Sequence, residues 1–220
     1  FFDLVNNLTV SYWIRTSARL NQVQIIGKGI SSAGEAGWNI GMSWSTGTQG
    51  RWWVESEQAG NNAMGGTNYI DFTATTDYFV VNTWSHHVFT LDFLTGSYIH
   101  YKDGVAYGNP PTVAGSPLTA RNANAQPLNL FGDNGFYRNN NYAATIQLVD
   151  AAIWKDTILT PAEAAALYAS GSVVEPPNAL QANQPDVYYP LRNLATGLTD
   201  LMGNAPALVN TGCTDSVEFP

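Results

Sequence analysis

Glu55 and Glu57 stand two residues apart at the end of the run Gly50-Arg-Trp-Trp-Val-Glu55. On a β-strand that spacing turns both side chains to one face. Two carboxylates flanking one bond are what glycoside hydrolysis requires, about 5–5.5 Å apart in retaining enzymes. This pair lies at a strand end beside a long polar stretch, and solvated acids at a loop edge are the better reading. His86 and His87 are adjacent on a second strand-like run and so point to opposite faces. That geometry does not chelate one metal, and His86 is expected to be packed and hydrogen-bonded. Cys213 is the single cysteine, which excludes an internal disulfide and a cysteine metal cluster. No Ser-His-Asp arrangement is defined by spacing, and the chain is expected not to be an enzyme.

Binding chemistry has more candidates. Calcium takes six to eight oxygen ligands, and Gly132-Asp-Asn-Gly135 followed by Asn139, Asn140 and Asn141 concentrates such oxygens. Asp133 and Asn134 are the candidate calcium ligands, although Asp-Asn-Gly is also turn chemistry in its own right. In the same loop Tyr137, Arg138, Asn139 and Asn140 are candidates for a ligand-binding rim. Sugars stack their C–H faces on aromatic rings. Trp52 and Trp53 are consecutive, so one faces each way on a strand, and Trp53 is the candidate contact.

The elements that position these groups are mostly strands. Leu8-Thr-Val-Ser-Tyr-Trp-Ile14 alternates at period two and is rich in β-branched and aromatic residues. Gln22–Ile26 closes on Gly27-Lys28-Gly29, and 37–44 with 50–55 reads as a hairpin. Residues 56–76 and 110–126 read as loops, from their polar, glycine and proline content. Trp84–Asp92 is a strand. Ser97–Lys102 turns through Asp103-Gly104 into Val105-Ala-Tyr107, a strong hairpin signal. Leu128–Phe131 is short, and Tyr142–Trp154 is long and apolar. A helix then follows with its ends written out: Thr160 as N-cap, Pro161 at the first helical position, Glu163 to complete a capping box, and Gly171 to end it. Strands at this spacing with one short helix predict an all-β antiparallel sandwich.

Several motifs occur in a fixed order: Leu8–Ile14, Ile26-Gly-Lys28, Trp38-Asn-Ile40, Trp84-Ser-His86, Thr90-Leu-Asp92, Lys102-Asp-Gly104 and Leu128-Asn-Leu-Phe-Gly132. Val149-Asp-Ala-Ala-Ile-Trp154, Leu159-Thr160 and Glu163–Tyr168 complete the set. Over roughly residues 5–171 the chain resembles the laminin-G-like, concanavalin A-like lectin/glucanase jelly rolls, especially the pentraxin-like branch. The resemblance implies two packed antiparallel sheets with the helix after the last long strand, and it puts Trp13, Trp84 and Trp154 in the core. It implies rim loops that bind calcium in many relatives. The glucanase branch carries Glu-x-Asp-x-x-Glu on a strand, and this chain does not.

Composition narrows the partners. Charged residues are 12% and the formal net charge is −8, with no basic stripe for phosphate contacts, which disfavours nucleic acid. No apolar run reaches the length of a membrane span. The domain reading is a jelly roll over 1–171, a Pro/Ala-rich linker over 172–185, and a tail over 186–220. The tail resembles the opening strand region of such a module, either completing this sandwich or starting a tandem repeat. The expected function is surface recognition or adhesion, binding a glycan or protein through loops at the sandwich edge. The alternative is a structural protein of a virion, a capsid decoration or tail component docking on neighbouring subunits or on itself; a looser resemblance to phage virion proteins suggests it. Either reading implies an extracellular or virion-surface location.

Overall fold

Residues 8, 10, 12 and 14 are Leu, Val, Tyr and Ile, and all four are buried between two sheets. The odd positions of the same strand face the other way. In this computed structural model the described residues are 6–18, 23–28, 37–44, 50–57, 69–73, 80–108, 111–114, 128–130, 146–169, 176–192, 199–205 and 207. In chain order the strands are β1 (Asn7–Thr16), β2 (Val23–Lys28), β3 (Gly37–Trp44), β4 (Gly50–Glu57), β5 (Tyr69–Thr73) and β6 (Ser85–Asp92). They continue with β7 (Ser97–Lys102), β8 (Val105–Ala106), β9 (Thr112–Ala114), β10 (Leu128–Leu130) and β11 (Ile146–Lys155). Helices α1 (Pro161–Tyr168) and α2 (Pro176–Ala179) precede β12 (Val187–Tyr189).

Sheet 1 has the order β12-β11-β1-β6-β7-β8 and sheet 2 the order β10-β2-β3-β4-β5-β9. The paired strands are antiparallel throughout. This is the expected all-β sandwich with one short helix after the last long strand. Between the sheets lie Tyr12, Trp38, Ile40, Trp52, Val54, Phe72, Phe89 and Ile153. A second cluster on the far side of sheet 1 joins Val88, Tyr101, Ala152 and Trp154 to Leu159, Ala164 and Leu167.

Helix α1 begins as its sequence dictates. The Thr160 side chain accepts from the Glu163 N–H, and the Glu163 carboxylate accepts from the Thr160 N–H at 2.8 Å. It stops earlier than Gly171 suggested. Ala169 takes the left-handed conformation (φ 30, ψ 62) and its N–H reaches the Ala165 carbonyl; Gly171 lies outside the described residues. The turn Asp103-Gly104 has positive φ at both residues, as its sequence requires. Gly104 also lies under the helix, where an added Cβ would sit 3.2 Å from Tyr168 Cβ.

Two stretches read as loop contain strands. β5 lies within 56–76 and pairs with β4, and β9 lies within 110–126 and pairs with β5. Both are short, and the ladder partner rather than local propensity holds them. Residues 176–179, read as linker, form α2. Trp84, expected in the core, is half-buried.

β12 adds to sheet 1 beside β11 through Ala151–Tyr189, Ala152–Tyr188 and Ile153–Val187. Two buried carboxylates fix it. Asp150 occupies a bulge of β11 with φ 54 and accepts from the Tyr188 hydroxyl at 2.6 Å. The Arg192 guanidinium grips it through Nε at 3.2 Å and Nη2 at 2.8 Å. Asp200 accepts backbone N–H groups from Tyr188, Met202, Asn204 and Ala205. Arg192→Ala leaves the Asp150 charge buried without its fork. It is expected to lower the unfolding free energy by about 3 kcal/mol in urea titrations, with Arg192→Lys losing less.

Candidate functional site

The outer face of sheet 1 is covered over β11, β1 and β6, while Ile99 and Val105 toward the β7–β8 edge are exposed. Trp13 stacks on Tyr168 of α1 at 5.7 Å and meets the His86 ring at 5.1 Å. Ser11 Oγ and His86 Nε2 are hydrogen-bonded at 2.9 Å. Trp154 Nε1 donates to the Asn183 carbonyl beyond α2. Burial pushes the His86 imidazole down to about 3, so it is neutral and structural there. This is the packed, hydrogen-bonded histidine expected from sequence.

His87, one residue on, points between the sheets. Its Nε2 is bonded to Ser85 Oγ at 2.8 Å and its Nδ1 to His100 Nε2 at 2.9 Å. Trp52, Tyr12 and Phe89 pack around it, and His100 stacks on Phe89 at 4.3 Å. A serine hydrogen-bonded to a histidine suggests nucleophilic chemistry. All three residues are at least nine-tenths buried, however, so a substrate does not reach them. Among the described residues no three His, Cys, Asp or Glu side chains are placed to hold a metal.

Sheet 2 presents its other face differently. Trp38, Ile40 and Met42 of β3, Trp52 and Val54 of β4, and Ile70 and Phe72 of β5 fill the core. Strand alternation therefore gives the outer face to positions 39 and 41, 51, 53, 55 and 57, and 69, 71 and 73. The register sets them in rows. Gly41, Trp53 and Asp71 are paired across three strands, and so are Asn39, Glu55 and Tyr69. Glu57 opposes Gly37, and Arg51 lies between Ser43 and Thr73. Toward β2 the same face is filled with amides. Gln24 and Asn39 are buried there, and a Cβ on Gly27 would lie 2.5 Å from Asn39 Cβ.

Among the sequence candidates, Trp53 therefore occupies a central outward position of sheet 2, where the structure describes its backbone. Asp133, Asn134, Tyr137, Arg138, Asn139 and Asn140 lie outside the described residues. They belong to the segment that leaves β10 at the edge of sheet 2 and returns as β11 in sheet 1. Tyr69 and Asp71 were not anticipated as neighbours of Trp53. Their signal was the apolar alternation of Ile70 and Phe72 within Tyr69-Ile-Asp-Phe-Thr73.

A family model described as the concanavalin A-like lectin/glucanases superfamily matches residues 2–165. This chain belongs to that superfamily. Among solved structures, a Bacteroides ovatus protein described as a candidate carbohydrate-binding protein is similar, at TM-score 0.56 and 14% identity. The alignment covers 91% of this chain and 51% of that one, so the chain spans about half its length. A heptameric SAP-like pentraxin from Limulus polyphemus aligns at TM-score 0.47 and 16% identity, over 79% of this chain and 74% of that one. Domain 4 of the extracellular arabinanase AbnA of Geobacillus stearothermophilus, solved with arabinotriose, aligns at TM-score 0.46 and 16% identity, over 74% and 67%. No curated protein matches the chain. At these identities the likeness is one of fold.

The alternation of β4 predicts opposite outcomes for adjacent tryptophans. Trp52→Ala empties a fully buried site and is expected to cost about 3–5 kcal/mol of stability. Trp53→Ala, at an outward position, is expected to stay within about 0.5 kcal/mol of wild type in the same urea titration.

Proposed function

We propose that the chain is a non-catalytic recognition module that holds a glycan on the outer face of sheet 2 and the loops at its rim. The carrying observation is the register that sets Trp53 between Gly41 and Asp71, with Glu55 and Tyr69 one row on. An aromatic ring offers a platform for the C–H face of a sugar. Carboxylates accept hydrogen bonds from its hydroxyls. On sheet 1 the helices cover the outer face over β11, β1 and β6.

Binding rather than hydrolysis is favoured by the absence of the Glu-x-Asp-x-x-Glu strand motif of the glucanases. In this reading Glu55, Glu57 and Asp71 orient a ligand. Tyr137, Arg138, Asn139 and Asn140 complete the rim, and Asp133 and Asn134 hold calcium there. A rigid β scaffold carrying recognition loops is a common division of labour. The Bacteroides ovatus protein of similar fold is described as a candidate carbohydrate-binding protein.

The proposal treats residues 186–220 as part of the same unit as 1–171, joined through 172–185. The pairing of β12 with β11 and the Asp150–Arg192 ion pair support that reading. Such a module acts outside the cell or on the surface of a virion, where its partner is a glycan or a protein displaying one.

A glycan array run in calcium and again in chelator tests the reading. Saturable binding to a related set of sugars is expected, weakened at least tenfold by Trp53→Ala and lost in chelator. Silence in both conditions from a well-folded chain refutes glycan recognition and favours virion assembly, with neighbouring subunits or further copies of itself as partners.

A further inference from the structure

The chain has three histidines, and all three lie on one strand pair, β6 and β7, with no more than 2% of their surface exposed. His86 faces the helix side of sheet 1, while His87 and His100 face sheet 2. Together they occupy both faces of this strand pair within sheet 1.

The inner two form one hydrogen-bonded line, Ser85 Oγ to His87 Nε2 and His87 Nδ1 to His100 Nε2. A bond between two ring nitrogens needs one N–H and one lone pair, and two neutral rings supply that combination. When both rings are protonated, N–H meets N–H and the bond is lost. The surroundings do not welcome the charge. β4 and β5 contribute Trp52 and Phe72, β1 contributes Tyr12, β7 contributes Lys102, and Tyr107 follows β8. On the other face His86 meets Tyr168 of α1 and Trp13 of β1, and its backbone N–H donates to Asp103 Oδ1. His86 Nδ1 has no hydrogen-bond partner among the described residues.

We propose that the histidines of β6 and β7 form an acid-sensitive joint: as neutral rings they fill the interfaces of sheet 1 with sheet 2 and with α1, and proton uptake in mild acid opens the sandwich.

Burial is the largest cause holding each ring below the ordinary value of 6.5, to about 3 for His86 and His100 and well below it for His87. Lys102 lowers the inner pair further, and His100 and His86 also lower His87. The unfolded chain, with ordinary imidazoles, therefore binds up to three more protons than the folded one across that window. Stability is full above about pH 6.5 and falls as pH falls below it. Most of this loss precedes the carboxylate range, where the lowered Asp92 and Glu163 add their own acid sensitivity.

Urea unfolding of the whole chain between about pH 6.5 and pH 5 tests the proposal. The unfolding constant is expected to steepen toward about 1000-fold per pH unit at the acid end, as three protons are taken up. His100→Phe keeps the ring stacked on Phe89 and is expected to reduce that limit to about 100-fold. Stability flat over this window, or a slope unchanged in both His100→Phe and His86→Phe, would overturn it. Should those variants fail to fold, the imidazole proton resonances of the wild-type chain decide. Folded-state signals that do not titrate down to about pH 5, while the unfolded signals grow in, support the joint. A folded-state ring titrating near its ordinary value contradicts it.

Discussion

Burial on both faces of β1, β6 and β11 is the constraint from which the architecture follows. Each of these strands is buried along nearly its whole length, so sheet 1 must be covered twice. Sheet 2 covers the inner side with Trp38, Trp52 and Phe72. Helix α1, α2 and the segment around β12 cover the outer side, where Val88, Ala152 and Trp154 meet Leu159, Leu167 and Tyr188. Polar side chains on that side are accommodated individually. Ser11 bonds His86, and the Thr9 hydroxyl donates to the Thr157 carbonyl at 2.7 Å. The close approach of α1 to the Asp103-Gly104 turn locks the helix in place, since the glycine leaves room for Tyr168.

Across three strands of sheet 2 the register lines up Gly41-Trp53-Asp71 and Asn39-Glu55-Tyr69, with Gly41 and Asn39 buried. Beneath them, buried Trp52 and Phe72 pack on the His87–His100 line. In the proposed function this scaffold presents the platform and the rim loops adjust specificity. That division explains how one superfamily fold serves many ligands.

Much of this was legible in the sequence because the long strands carry their own alternation. Leu8 to Ile14 declares one face of β1, and Thr160-Pro-x-Glu163 declares the start of α1. The short strands were not legible. Tyr69–Thr73 and Thr112–Ala114 sit among polar, glycine- or proline-rich residues, and they are strands because β4 and β5 offer them a ladder. The candidate site inherited that gap, since Asp71 and Tyr69 join Trp53 only once β5 is paired. Adjacent histidines pointing to opposite faces followed from the period of a strand. The His87–His100 bond did not, because it crosses two strands and depends on their register. The helix ended at Ala169 rather than at Gly171, an alanine holding a left-handed conformation that sequence would assign to glycine.

The most direct test of the account is hydrogen–deuterium exchange of the whole chain with and without the tightest-binding oligosaccharide from an array. Protection concentrated on β4, β5 and the segment between β10 and β11, with α1 and its neighbours unchanged, is the result the account predicts. Protection centred on the helix-covered face of sheet 1, with β4 and β5 unaffected, would contradict it.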